Sequence, residues 1–180
     1  IISTKGFSMF AKTSYNPYTC DIALSKNQQK FLVNQVISQL NKFYTGKDDR
    51  KMVLNAFTGS AKTTVSIKSL IPEFVSNFYN SGKRVIGFMA PRKEVVDKAY
   101  RTAKKNLHNK TVGDARIKVY SSDDIDRMKK SIKKGNEKES LDGDVVLLFI
   151  TAQYFYNNYD LLTEDGTFDL MIVDEAHIMF

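Results

Sequence analysis

A chain of 180 residues with 42% hydrophobic content can bury one sizeable core, and its formal charge of +7 favours a polyanionic partner, although a lysine-rich composition is also an ordinary way of staying soluble. One cysteine, Cys20, excludes an intrachain disulfide and a cysteine zinc cluster, while His108 and His177 are too few and too far apart in sequence to suggest a metal site. No apolar run is long enough to span a membrane, so the expectation is an intracellular, cytoplasmic protein with no membrane partner.

Residues 1–23 carry scattered aromatics (Phe7, Phe10, Tyr15, Tyr18) and an Asn16-Pro17 turn signal, with no sustained period. They read as an N-terminal extension. The opening IISTKGFSMF is too short and polar for a secretion signal and lacks an initiating Met, so the numbering is expected to start inside a longer protein. From Ser25 onward, Leu32, Val33, Val36, Ile37, Leu40, Phe43 and Tyr44 recur at three- and four-residue spacing, which predicts a helix with one buried face. Ser25-x-x-Gln28 forms a capping box, in which Gln28 satisfies a free amide of its own helix.

Lys51–Thr64, KMVLNAFTGSAKTT, reads as strand, loop and helix. A loop whose backbone amides surround a phosphate needs small residues, and the helix after it offers its positive end to the anion. Thr58, Gly59, Ser60, Ala61, Lys62, Thr63 and Thr64 are the candidate nucleotide-binding residues. Lys62 would reach the outer phosphates of ATP, and the Thr63 hydroxyl would ligate Mg2+. Two positions depart from the G-x-x-x-x-G-K-[ST] pattern: Ala56 and Ala61 stand where it has glycine. If the second position takes a positive φ, the Cβ of Ala61 costs about 1–2 kcal/mol.

Ile67, Leu70, Ile71, Phe74, Val75 and Phe78 continue as a helical stripe, which Pro72 is expected to kink or break near Leu70. Ser81-Gly82 closes it. Arg84–Ala90 is a strand, Pro91-Arg92-Lys93-Glu94 a loop, and Val95, Val96, Ala99, Tyr100 and Ala103 mark the buried face of the next helix. Arg116–Tyr120 is a short strand. Asp123–Gly143 is charged and nearly free of apolar residues, with a surface helix to about Lys134 and a mobile loop after it. Asp144–Ile150 reads as a strand buried on both faces, followed by Thr151-Ala152-Gln153. Tyr154, Phe155, Tyr156 and Tyr159 could stack bases or pack under the sheet.

Phe168–Phe180, FDLMIVDEAHIMF, is an apolar run closing on Asp174-Glu175-Ala176-His177. A doubly buried strand would deliver both acids to the carboxyl edge of a parallel sheet, where such folds hold their ligands. Asp174 would hold the metal through its hydration shell, and Glu175 would orient or deprotonate an attacking water. Alternating strands and helices predict an α/β fold, a parallel sheet with helices on both faces.

These motifs together resemble the first RecA-like, P-loop ATP-binding domain of a superfamily 2 helicase or translocase of the DEAH-box-like branch, over residues 24–180. Lys62 and Asp174 stand 112 residues apart, a separation that fits the family. The resemblance implies that Gln28 reads the adenine edge, with Gln29 as the alternative. It implies that Arg92 and Lys93 track nucleic-acid phosphates, that Thr151 and Gln153 lie along the bound strand, and that His177 couples hydrolysis to nucleic acid. It also implies DNA or RNA as partner, with ATP and Mg2+ as cofactors, and a second RecA-like domain supplying an arginine finger. A lone first domain is expected to hydrolyse ATP very slowly. The alternative is an attenuated nucleotide-binding scaffold in a larger nucleoprotein assembly, motivated by Ala61. VDEAHIMF is also reminiscent of viral helicase-like proteins, which raises a viral or replication assembly as a setting.

Overall fold

A computed structural model describes residues 26–45, 62–126, 145–163 and 168–175. The chain divides into two units, Ile1–Val65 and Ser66–Phe180. In the first, helix α1 (Lys26–Thr45) buries Leu32, Val33, Val36, Ile37, Leu40 and Phe43, the stripe that the spacing predicts, with Tyr44 half-buried. Helix α2 (Lys62–Val65) is a single turn that buries Val65. The N-terminal extension, Ser25 and the stretch 46–61 lie outside the described residues.

The second unit opens with a π-helical turn, Ser66–Leu70, and continues as α3 (Ile71–Phe78) with Pro72 in its first turn. The proline explains the wide turn. It has no N–H to donate to the carbonyl four residues back, and its ring would collide with that carbonyl, so the preceding turn opens rather than the helix ending. Ile67, Ile71, Phe74, Val75 and Phe78 are nonetheless all buried. Gly82, at φ 81°, closes the element after a 3-10 turn, Tyr79–Ser81. That left-handed conformation suits a residue without a Cβ.

Five strands follow among the described residues: β1 (Val85–Ala90), β2 (Thr111–Val112), β3 (Ala115–Ser121), β4 (Val145–Thr151) and β5 (Leu170–Val173). They form one sheet in the order β2-β3-β4-β1-β5. The three pairings among β3, β4, β1 and β5 are parallel. The β2–β3 pair is antiparallel, an addition that the sequence reading did not contain, turned by Gly113 at φ 60°.

Side-chain alternation along β4 assigns the faces. Phe149 packs beside Phe88 of β1, with ring centroids 5.2 Å apart, and meets Tyr100 of helix α4 (Lys93–Leu107) edge-on at 6.0 Å. Val96, Ala99, Ala103 and Leu107 are the buried positions of α4. The opposite face holds Leu148 and Ile150 with Ile125, flanked by Met89, Tyr120, Tyr154, Phe155, Leu162 and Phe168. Helices α5 (Ala152–Asn157) and α6 (Tyr159–Thr163) and the helical residues 122–126 provide that cover. The sheet is thus mostly parallel with helices on both faces, as expected of a RecA-like P-loop domain.

One expectation needs correction. Residues 170–173 of β5 are half-buried throughout, not doubly buried. Among the described residues β5 is paired along one edge only, to β1, whereas β4 is paired along both and is buried accordingly.

Two local features fix how β5 lies on β1. Gly87 stands opposite Met171, and a Cβ built at Gly87 would fall 2.6 Å from the Met171 Sδ and Cε and 2.9 Å from Phe168 Cδ1. The missing side chain is the space those two residues fill. At the other end, Asp169 Oδ2 accepts from the backbone N–H groups of Arg84 and Val85 at 2.7 and 2.9 Å, and Lys83 Nζ lies 3.5 Å from Oδ1.

Candidate nucleotide and nucleic-acid site

The carboxyl ends of β4, β1 and β5 lie side by side, with Ala90 opposite Thr151 and Met89 opposite Val173. Three loops therefore leave the sheet at one level: Pro91-Arg92 after β1, Thr151 into α5, and Asp174-Glu175 after β5. The register is held where it matters, because the Asp174 N–H donates to the Met89 carbonyl at 2.9 Å.

Asp174 Oδ1 accepts from the backbone N–H of Glu175 at 3.0 Å. Glu175 has φ 52°, a left-handed conformation rare for a residue with a Cβ. Such strain costs of order 1–3 kcal/mol and persists where the surroundings impose it. Glu175 Oε2 is buried and has no hydrogen-bond partner among the described residues. A buried carboxylate oxygen without a donor is expensive, and a ligand-binding role is one of the few reasons to keep it.

Arg92 precedes α4 in extended conformation (φ −103°, ψ 134°) and is exposed. Its carbonyl accepts the Val96 N–H at 3.2 Å, starting the helix. Lys93 differs: its Nζ is 3.3 Å from Asp97 Oδ1, one turn along α4. Thr151 caps α5, its Oγ1 accepting from Tyr154 N–H at 3.1 Å. Gln153 is exposed and donates to Asn157 Oδ1 at 2.9 Å.

Of the aromatics after Gln153, Tyr154 and Phe155 pack and Tyr156 and Tyr159 are exposed. Tyr154 donates its hydroxyl to Asp126 Oδ1 at 2.8 Å, and burial, then that bond, pushes the phenol well above its ordinary range. Phe155 packs near Phe168 at 6.2 Å. Tyr156 is 79% exposed and Tyr159 55%.

Residues 22–179 match the family described as type III restriction enzyme, res subunit. The chain belongs to that family. No curated protein and no solved structure matches it. Res subunits carry a helicase-like ATP-binding domain of superfamily 2 type, and the family comprises ATP hydrolases that act on DNA.

In this res-family domain the expected nucleotide residues sit as follows. Gln28 is half-buried in the first turn of α1, and Gln29 beside it is likewise half-buried. Lys62 and Thr63 are half-buried in α2, and Thr64 is exposed. Thr58, Gly59, Ser60, Ala61 and His177 lie outside the described residues, as does the basic run 129–134. Sequence reasoning missed Asp169, whose contacts are to backbone groups some eighty residues earlier and leave no local pattern. It also missed Asp124, which accepts from Ser121 N–H at 2.7 Å and Ser121 Oγ at 2.9 Å, and from the Tyr100 hydroxyl at 3.3 Å. The Ser-x-x-Asp spacing was the available signal.

Proposed function

We propose that this domain binds ATP and Mg2+ and is the first motor domain of a DEAH-type helicase or translocase that couples hydrolysis to movement on nucleic acid. On this reading the Thr58–Ala61 loop surrounds the phosphates with backbone amides. The Lys62 ammonium pairs with the outer phosphates, Thr64 borders them, and Gln28 contacts the base. Thr63 and Asp174 are the magnesium-side residues. The ion's part, when bound, is to neutralise phosphate charge. Glu175 takes the proton of the attacking water, or orients it, and His177 relays the state of the site toward nucleic acid. Arg92, Lys93, Thr151 and Gln153 form the nucleic-acid edge.

The observation that carries this reading is the unpartnered, buried Oε2 of Glu175, set beside Asp174 at the carboxyl edge of the parallel sheet. The donor set fits a hydrated divalent cation: the Asp174 carboxylate stands next to a second carboxylate, one oxygen of which is buried and has no hydrogen-bond partner among the described residues. Substituting Lys62→Ala should weaken ATP binding at least tenfold, read by titration with a fluorescent ATP analogue. Unchanged binding would sink the proposal.

Ala61 supports a second reading, an attenuated nucleotide-binding scaffold. Ala61→Gly separates the two: a gain in turnover identifies a loop held back by its Cβ, and no change identifies one already competent. By itself the chain should turn ATP over slowly and unwind nothing, because family resemblance assigns the charge-stabilising arginine to a second RecA-like domain.

A further inference from the structure

The outward face of α4 is cationic, and among the described residues no ion pair balances its outermost charges. Val96, Ala99, Ala103 and Leu107 are buried, which fixes the side of the helix that meets the sheet. At 3.6 residues per turn, Lys98, Arg101 and Lys105 fall on the opposite side, and all three are exposed. Among the described residues none of the three forms an ion pair. Asp97 is engaged by Lys93, and Arg101 Nε donates to the Asp97 carbonyl at 3.3 Å, which lays its side chain along the helix. Glu94 is the one acid in the same row, a turn before Lys98. The favourable field of a helix C-terminus accounts for a cation at Lys105, but Lys98 and Arg101 are too far from the last turn to draw on it.

The chemistry of the face selects its partner. Protein interfaces are centred on apolar and aromatic anchors, and the exposed large hydrophobic side chains among the described residues are Phe31, Val85, Tyr156 and Tyr159, none on α4. Single strands are held by stacking on exposed aromatics, which α4 also lacks there. A row of cations with nothing to stack or bury matches a duplex backbone. From Lys98 to Lys105 the helix rises about 10 Å, close to the axial span of roughly three phosphates on one strand. The row begins less than two turns beyond Arg92 at the carboxyl edge.

We propose that Lys98, Arg101 and Lys105 form a second anchoring surface that holds the phosphate backbone of duplex nucleic acid without reading its sequence. The choice of polyanion rests on the nucleic-acid reading of this domain. The contact itself lies outside the carboxyl-edge site.

The test compares two triple variants of equal charge change in the 180-residue chain. Lys98→Gln, Arg101→Gln and Lys105→Gln remove the row, and Lys30→Gln, Lys42→Gln and Lys68→Gln remove three exposed lysines elsewhere. Binding of a labelled random-sequence duplex is followed by anisotropy across a potassium chloride series. Loss of the row should cut low-salt affinity more than tenfold and lower the slope of log K against log salt by about 2–3, near 0.9 per phosphate contact. The control should shift the slope by less than about one. Circular dichroism verifies that both variants fold. Equal slopes in the two variants, or no duplex binding by the unaltered chain, would overturn the proposal. Polyglutamate binding with the same dependence on the row would overturn the assignment to nucleic acid. A Lys62→Ala chain that keeps ATP while the row variant loses duplex would fail the ATP reading alone. The reverse pattern would fail the anchoring surface alone.

Discussion

The backbone N–H of Asp174 donates to the carbonyl oxygen of Met89 at 2.9 Å, one step past the last paired residue of β5. That bond carries the ladder just beyond the strand and holds the first acid of the DEAH sequence level with the loop that bears Arg92. The next residue, Glu175, then turns through a left-handed conformation and leaves one carboxylate oxygen buried, with no partner among the described residues. The chain keeps a strained, desolvated acid at the place where a parallel sheet holds its ligands, which argues for chemistry over packing.

Glu175→Gln should separate binding from turnover. The amide keeps the shape but cannot take a proton, so ATP affinity should stay within about twofold while DNA-stimulated hydrolysis falls by about 100-fold or more. On the proposed reading this measurement needs a second RecA-like domain, and it is made as phosphate release at saturating ATP. Retained hydrolysis would remove Glu175 from the role of general base.

Asp169→Ala should loosen the start of β5. It deprives the Arg84 and Val85 amides of their acceptor, and because those groups can turn to water the cost should be about 1–2 kcal/mol. For a domain of this size that lowers the thermal midpoint by about 3–6 °C. Asp169→Asn keeps an acceptor oxygen and should recover most of the loss. Equal midpoints for all three proteins would show that the clamp contributes nothing.

Gly87→Val should destabilise by about 1–3 kcal/mol through overpacking against Met171 and Phe168. The flexible thioether can retreat where backbone could not, so Gly87→Ala should cost less. Met171→Ala introduced with Gly87→Val should cost less than the two single changes summed, which denaturant titrations of the four proteins would reveal. Strict additivity would mean that the two residues do not share the space.

Acid should weaken the fold through His108. Its Nδ1 accepts the Val119 N–H at 3.1 Å, a bond that only the neutral ring can make on that nitrogen. Burial first, then the charges of Lys104 and Lys118, push its pKa below the ordinary 6.5, against a smaller opposing pull from Asp124. The unfolded chain therefore binds the extra proton first as pH falls. The contribution is fully present above about pH 6.5 and is lost as pH drops below that toward the depressed value. Denaturant titrations between about pH 5 and pH 7.5 should show stability rising with pH, and His108→Ala should flatten that rise. An identical slope in the variant would place the titration elsewhere.

Much of this architecture was legible because it is written in local periods. The Val96, Ala99 and Ala103 spacing fixed the buried side of α4, continuous apolar residues marked β4, and Pro72 announced a disturbance at the turn where the π-helical residues lie. The β2–β3 hairpin was not legible, since a two-residue strand has no period to detect, although Gly113-Asp114 offered a turn signal. Burial of β5 was overestimated for a related reason: apolar composition records what a residue tolerates, while exposure depends on which strands stand beside it. The acidic pair was legible as a motif. The Met89 carbonyl, the Asp169 clamp and the unpartnered oxygen of Glu175 join or isolate groups distant in sequence, and no one-dimensional pattern carries them.

The N–H and carbonyl of Val119 lie on the side of β3 away from β4, past the short stretch paired with β2, where a neighbouring strand would ordinarily accept the N–H and donate to the carbonyl. Two side chains from the end of α4 do both: His108 takes the N–H, and Lys104 Nζ donates to the carbonyl at 3.2 Å. Imidazole and ammonium together imitate one residue of a strand that is not found there among the described residues, and deny that stretch to a foreign one. Protonating the ring removes half of the imitation, so the same acid that lowers stability also exposes a template for intermolecular pairing. Self-association at mildly acidic pH should begin along this rim.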